Sequence, residues 1–317
     1  MAEKHRIIID TDTAGDDAAA LILAARSPLV EILGVTVLAG NVSLEQGAKN
    51  ALAVLELIGC DAPVYLGAKA PLSGEEKECF SVYGADGMGE ADLIHPKGTP
   101  RTDKSAVDFI LETVRANPGE IEIVALGPAT NLALAIQRDR ETMLQVKRIW
   151  SMGTAGFGPG NATPVAEFNV YKDAPAYKIM LELGVPMTVI GLDMDDEPTW
   201  TYEDKLAEMR GGNEIQRFMA AAVRKLLEFK KGNGIPAVDL PDAVAMACLV
   251  WPDFVQETTL CYGSCITEPG ETYGMLVYYK AGFTYDSMPK IGKCNISVVS
   301  KIKKSEFVDR LNAVFLA

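Results

Sequence analysis

Histidine is nearly absent from this 317-residue chain, which has only His5 and His95. That scarcity excludes a histidine-rich metal centre and leaves acid–base chemistry mainly to carboxyls and hydroxyls. Cysteine is sparse too. Six residues (Cys60, Cys79, Cys248, Cys261, Cys265, Cys294) are too few for a disulfide scaffold at this length. Only Cys261 and Cys265 fall close together, with no histidine beside them to complete a zinc site. All six read as reduced thiols of a cytosolic protein. No apolar run approaches the roughly 18 residues of a membrane helix. The opening MAEKHRIIID passes from a polar tail straight into a strand, which leaves no room for a secretory segment. Basic charge is the last shortage, with 30 Lys+Arg against 43 Asp+Glu and a net charge of −13. Nucleic acid and anionic membranes need a basic footprint, so neither is an expected partner.

What remains is globular: 48% hydrophobic and 23% charged residues suffice for a sizeable core. Short β-branched runs alternate with helical patterns. Strands are predicted at Arg6–Asp10, Glu31–Leu38, Ile121–Leu126, Arg148–Met152 and Pro186–Leu192. Helices are predicted at Ala18–Ala25, Ser43–Ile58, Thr130–Gln137 and Ala174–Leu183, with a long helical region over Glu203–Lys231. Ser43 followed by Gln46 is a capping-box pattern. The alternation implies an α/β fold, a Rossmann-like doubly wound, mainly parallel sheet with helices on both faces. No linker, repeat or composition shift divides the chain, so residues 1–317 read as a single domain. Two stretches, 73–100 and 222–240, read as active-site loops.

Four aspartates crowd the end of the first strand in DTDTAGDD: Asp10, Asp12, Asp16 and Asp17. Ligands of open α/β sheets bind at such carboxyl ends. A helix N-terminus favours Asp16 and Asp17 by about 0.3–1 kcal/mol each, too little to hold four converging like charges. A hard cation, Ca²⁺ or Mg²⁺, would hold them. The plainer alternative has Asp10 and Asp12 capping a turn while Asp16 and Asp17 lie solvated. An EF-hand loop fails, because Ala14 and Leu21 occupy its acidic fifth and twelfth positions. A haloacid-dehalogenase-type phosphatase, with Asp10 as nucleophile and Asp12 as acid, would want threonine where Ala14 stands.

RIIIDTDTAGDDAAA resembles the signature of the inosine-uridine nucleoside hydrolases, D-x-D-P-G-x-D-D, with Thr13 and Ala14 in place of Pro-Gly. The resemblance continues through LAGN, LGPATNLALAI, RIWSMG, PGNATPVAEFNVYKDAPA, LPDAVAM and ETYGML, nearly end to end. It implies the nucleoside hydrolase fold and hydrolysis of ribonucleosides to ribose and free base. It also implies Ca²⁺ held by Asp12, Asp17, Asp242 and the Thr130 carbonyl, with Asp12 taking the proton of the attacking water and Asp10 supporting it. Asp16, Asn41, Asn161, Glu167 and Asn169 would hydrogen-bond the ribose, and Met152 would pack beside it. A homodimer or homotetramer is expected.

The leaving-group side departs from the family. Pro241 stands where many members carry histidine before the last metal-binding aspartate. Tyr83 opens the segment that in others begins H-G-x-x-G-L-G, and His95 lies in the same loop. Three routes stay open: a proton or hydrogen bond from Tyr83, aromatic sandwiching of the base by Phe80, Tyr83, Phe157 or Phe229, or a substrate whose leaving group needs little help. The sandwich would give a purine preference. The alternative to an enzyme is a degenerate member that binds ribosides without turnover.

Overall fold

The computed structural model describes residues 4–74, 82–193, 209–234, 240–282 and 292–317. Within them one sheet contains nine strands: β1 (His5–Thr11), β2 (Val30–Val37), β3 (Val64–Leu66), β4 (Ile121–Ala125), β5 (Arg148–Met152), β6 (Met187–Ile190), β7 (Val255–Cys265), β8 (Leu276–Lys280) and β9 (Ile296–Ile302). Their order across the sheet is β3-β2-β1-β4-β5-β6-β9-β7-β8. Every pairing from β3 to β9 is parallel, and β7 alone runs against its neighbours. The mainly parallel, doubly wound sheet expected from the alternation is present.

The strands are apolar without interruption because both faces are covered. In β1, Ile7 and Ile9 pack into one core with the helices Gly15–Arg26, Leu44–Leu57, Pro241–Val250 and Lys304–Leu316. Ile8 points the other way, into a core built from Ala106–Ala116, Thr130–Arg138 and Ala174–Leu181. The chain leaves β1 toward β2 on one side, while β4 lies on the other. The order of connection reverses there, and open α/β sheets bind ligands outside the carboxyl ends of the strands at such a switch point.

Most predicted elements match within one to three residues. Ser43 caps its helix through a bond from the Gln46 amide, but the Gln46 side chain turns to Asn50, so the reciprocal half of the box does not form. The long helical region is broken. The helix Glu214–Ala222 begins afresh with Asn213 as cap, after Gly211 and Gly212, and a second helix, Arg224–Gly232, follows a kink at Val223. Residues 203–208 of that prediction lie outside the described residues.

Candidate active site

Two buried helices deliver the carboxylates. Ala18–Ala25 of the helix Gly15–Arg26 is wholly alanine, leucine and isoleucine, Ala243–Val250 of the helix Pro241–Val250 is wholly apolar, and the two helices pack side by side with the carboxylates of their first turns together. Pro241 occupies the first turn, where its missing N–H costs nothing. Asp16 and Asp17 start one helix and Asp242 the other. Oxygens of these three buried residues lie within 4.8 Å of one another. Helix N-termini favour such anions only modestly.

Asp17 is held by both oxygens, whereas Asp10, Asp12, Asp16 and Asp242 each keep one oxygen unpartnered. Asp10 accepts from Thr36 Oγ1 at 2.5 Å and from Asn131 Nδ2 at 2.8 Å, both on Oδ1. Asp12 accepts the Asn41 backbone N–H on Oδ2, and the Asn41 side chain adds a second bond. Asp17 accepts from Thr11 Oγ1 and the Ala14 amide. Oδ2 of Asp10 and Oδ1 of Asp12, Asp16 and Asp242 are buried with no hydrogen-bond partner. A buried unpaired carboxylate oxygen is expensive, and a cation held among these carboxylates would satisfy such oxygens. An all-oxygen donor set suits a hard divalent ion.

Burial dominates the electrostatics. It lifts Asp10 to about 7, Asp12 to about 6 and Glu167 to about 7, and raises Asp16 against hydrogen bonds from Tyr83 and Asp242; at Asp17 and Asp242 repulsion from neighbouring carboxylates adds to burial. The largest influences on these six carboxyls, among the described residues, are burial, each other, and hydroxyl and amide donors; none is a lysine or arginine.

The structure brings most expected residues to this place. The expected metal set was Asp12, Asp17, Thr130 and Asp242, whereas the carboxylates that group most tightly are Asp16, Asp17 and Asp242. Asp12 sits within their field and offers its free Oδ1. Thr130 opens its helix, and its hydroxyl donates to Asp173 at 2.6 Å. Glu167 caps the helix Phe168–Lys172 by accepting the Val170 amide and feels the charges of Asp12 and Asp16. Asn169 donates to the Leu126 carbonyl at 2.7 Å, touches Met152, and keeps a buried free Oδ1. Asn161 is exposed, with its Oδ1 on the Phe168 amide. Tyr83 reaches the cluster and hydrogen-bonds Asp16; burial and three carboxylates hold its hydroxyl well above the usual phenol range.

Other expectations are not drawn in. Phe229 is 45% exposed, Phe157 packs edge-on against Tyr278 beneath Lys280, and Phe80 lies outside the described residues. His5 sits at the far end of β1, bonded to Glu122 at 2.7 Å, and His95 is exposed beside Asp92. Neither histidine is in the cluster.

Several supporting residues escaped the sequence reading. A Cβ on Gly40 would lie 2.1 Å from Asp12 Oδ2, and one on Gly127 would lie 2.9 Å from Oδ1. Both glycines stand inside motifs already noted, LAGN and LGPATN, so the signal was present. Asn50 ties the Thr13 and Asp86 carbonyls together, joining the aspartate loop to the Tyr83 segment. Thr13 has φ of 28°, a value closed to the proline that the family motif carries there.

The chain is similar to proteins already known. The family model for inosine-uridine preferring nucleoside hydrolase matches residues 7–309. Uridine nucleosidase 1 of Arabidopsis thaliana is 33% identical over 282 residues, 85% of this chain and 84% of that protein. A plant nucleoside hydrolase superposes with a TM-score of 0.90 at 29% identity, covering 99% of both chains. A purine-preferring ribonucleoside hydrolase from Gardnerella vaginalis does so at 0.86 and 27%, covering 98% of both.

Proposed function

The chain belongs to the inosine-uridine preferring nucleoside hydrolase family, as an N-glycosyl hydrolase of ribonucleosides, and from that premise we propose how it works. The reading is of a calcium-dependent N-ribohydrolase in which residues 1–317 act as one domain. The observation that carries it is the set of buried, unpartnered oxygens on Asp12, Asp16 and Asp242 beside Asp17. Asp12, Asp17 and Asp242, with Asp16 beside them and the Thr130 carbonyl, would hold the ion. A bound calcium ion supplies a Lewis acid that lowers the pKa of water and an anchor for vicinal hydroxyls.

The chain's own residues do the rest. Asp12 Oδ1 is free to take the proton of the attacking water, while Asn41 fixes the other oxygen. Asp10, clamped by Thr36 and Asn131, stands behind it. Glu167, Asn169 and Asp16 offer acceptors to the ribose hydroxyls, and Met152 an apolar wall. The surrounding carboxylates stabilise the positive charge that develops on the sugar as the bond breaks.

For base preference the relatives divide, one named for uridine and another for purines. The aromatic residues that motivated a purine preference form no sandwich among the described residues, so no base preference is carried into the proposal. The test is reducing-sugar release from inosine, adenosine, guanosine, uridine and cytidine by the wild-type protein and Asp12→Ala. Release by the first and not the second supports the reading. Tight ribose-dependent binding with no release from any riboside would make the protein a binder instead.

A further inference from the structure

Asn50 lies mid-way along the helix Leu44–Leu57, fully buried, at a position where alanine would favour the helix more. Both hydrogens of its amide leave the helix. Nδ2 donates to the Thr13 carbonyl at 2.9 Å and to the Asp86 carbonyl at 2.8 Å. Gln46, one turn back, donates to Oδ1 at 2.9 Å and fixes which way the amide faces. A buried amide satisfied in this way specifies one arrangement of the backbones it joins.

Those backbones bear on the chemistry. Thr13 is β-branched and holds φ of 28°, a left-handed conformation that such residues rarely adopt and that the surroundings must enforce. Its N–H donates to Thr11 Oγ1 at 3.0 Å, and its carbonyl is held by Asn50. Asp12 directly precedes it. Thr11 Oγ1 and the Ala14 amide, one on each side of Thr13, donate to the two oxygens of Asp17. Asp86 belongs to the compact turn that begins at Tyr83. There the Gly89 amide donates to the Tyr83 carbonyl at 2.8 Å, and the Met88 and Glu90 amides donate to the Asp86 carboxylate.

Resting on the roles given above to Asp12 and Asp17, we infer that Asn50 is a positioning residue with two separable tasks. Through Thr13 it keeps the aspartate loop in the left-handed turn that aims Asp12 and Asp17, and so governs cation binding and turnover. Through Asp86 it seats the Tyr83 turn against the same loop, and so governs how tightly the riboside is held. Glycine at position 13 separates the tasks, because it takes the left-handed conformation at no steric cost.

The experiment measures calcium affinity by calorimetry, and kcat and KM for ribose release from inosine and uridine. It compares the full-length wild type, Asn50→Ala, Thr13→Gly and the double variant. Asn50→Ala should weaken calcium binding and lower kcat by about 10–100-fold each, the usual cost of removing a residue that orients a metal ligand from behind. Its KM should rise as well. Adding Thr13→Gly should return calcium affinity and kcat most of the way to wild type while KM stays raised, a split that a general loss of stability does not produce. Asn50→Asp matches the shape, keeps the Gln46 bond and removes both amide donors, so it carries the same expectations if Asn50→Ala does not fold. The inference is overturned by unchanged calcium affinity and kcat in Asn50→Ala, or by all three parameters moving together in every variant. Failure of every Asn50 variant to fold overturns it too, since Asn50 would then serve stability alone. Those outcomes leave the ribohydrolase reading standing, whereas a wild type that releases no ribose removes that reading and this inference with it.

Discussion

Asp12 shows how much structure one carboxylate can require. Its Oδ2 is pinned by Asn41, and its two oxygens fill the space above Gly40 and Gly127. The free Oδ1 is the proton acceptor in the proposed mechanism, so Asp12→Asn should lower kcat by about 10²–10⁴-fold while the melting temperature holds or rises. Gly40→Ala makes a sharper point. Its Cβ would collide with Asp12 Oδ2, and such overpacking typically costs about 1–3 kcal/mol. Turnover should nevertheless fall further than the lost stability explains, because the carboxylate that must move is the proton acceptor of the proposed mechanism. Thermal unfolding and kcat measured on the same preparation decide this. A Gly40→Ala protein with wild-type turnover would contradict the assignment.

At the scale of elements, the segment that carries Tyr83 is fastened to the broken helix. The Arg224 guanidinium donates to the Gly89 carbonyl at 2.6 Å, Lys225 pairs with Glu90 at 3.3 Å, and Glu90 accepts the Ala85 amide. Gly89 itself has no room for a side chain against the Ala221 carbonyl. Arg224→Ala should therefore raise KM more than it lowers kcat, since it loosens a wall of the site and leaves Asp12 untouched. An unchanged KM would show that the segment holds its place without this contact. None of this was legible in the sequence, because Gly89 and Arg224 are 135 positions apart and neither carries a local signal of the other. The strands were legible because both faces of a parallel sheet are buried, which writes their apolar runs plainly into the chain. The break of the long helix was legible in part, since Gly211-Gly212-Asn213 supplies a stop and a new cap.

Over the whole molecule, the acidic site sets a pH dependence. Burial raises Asp10 and Glu167 to about 7 and Asp12 to about 6, above their values in an unfolded chain. The folded protein then binds more protons than the unfolded chain from roughly pH 4 to 7. Stability of the metal-free protein must fall as pH rises through that window. Calcium, by neutralising the same carboxylates, should raise the melting temperature more at pH 7.5 than at pH 5. A chelated protein that grows more stable with rising pH would contradict the clustering. The four-aspartate motif announced this site, but not which oxygens would be left unpaired. That depends on Thr11, Thr36, Asn41 and Asn131, which take up the other oxygens and come from separate elements.

The most direct test of the central claim is a calcium titration of chelator-treated protein, followed by calorimetry and by ribose release on the same sample. One ion per chain should bind, activity should return in step with it, and Asp242→Asn should lose both. Ribose release that ignores the chelator, or calcium that binds without restoring any release, would contradict the account.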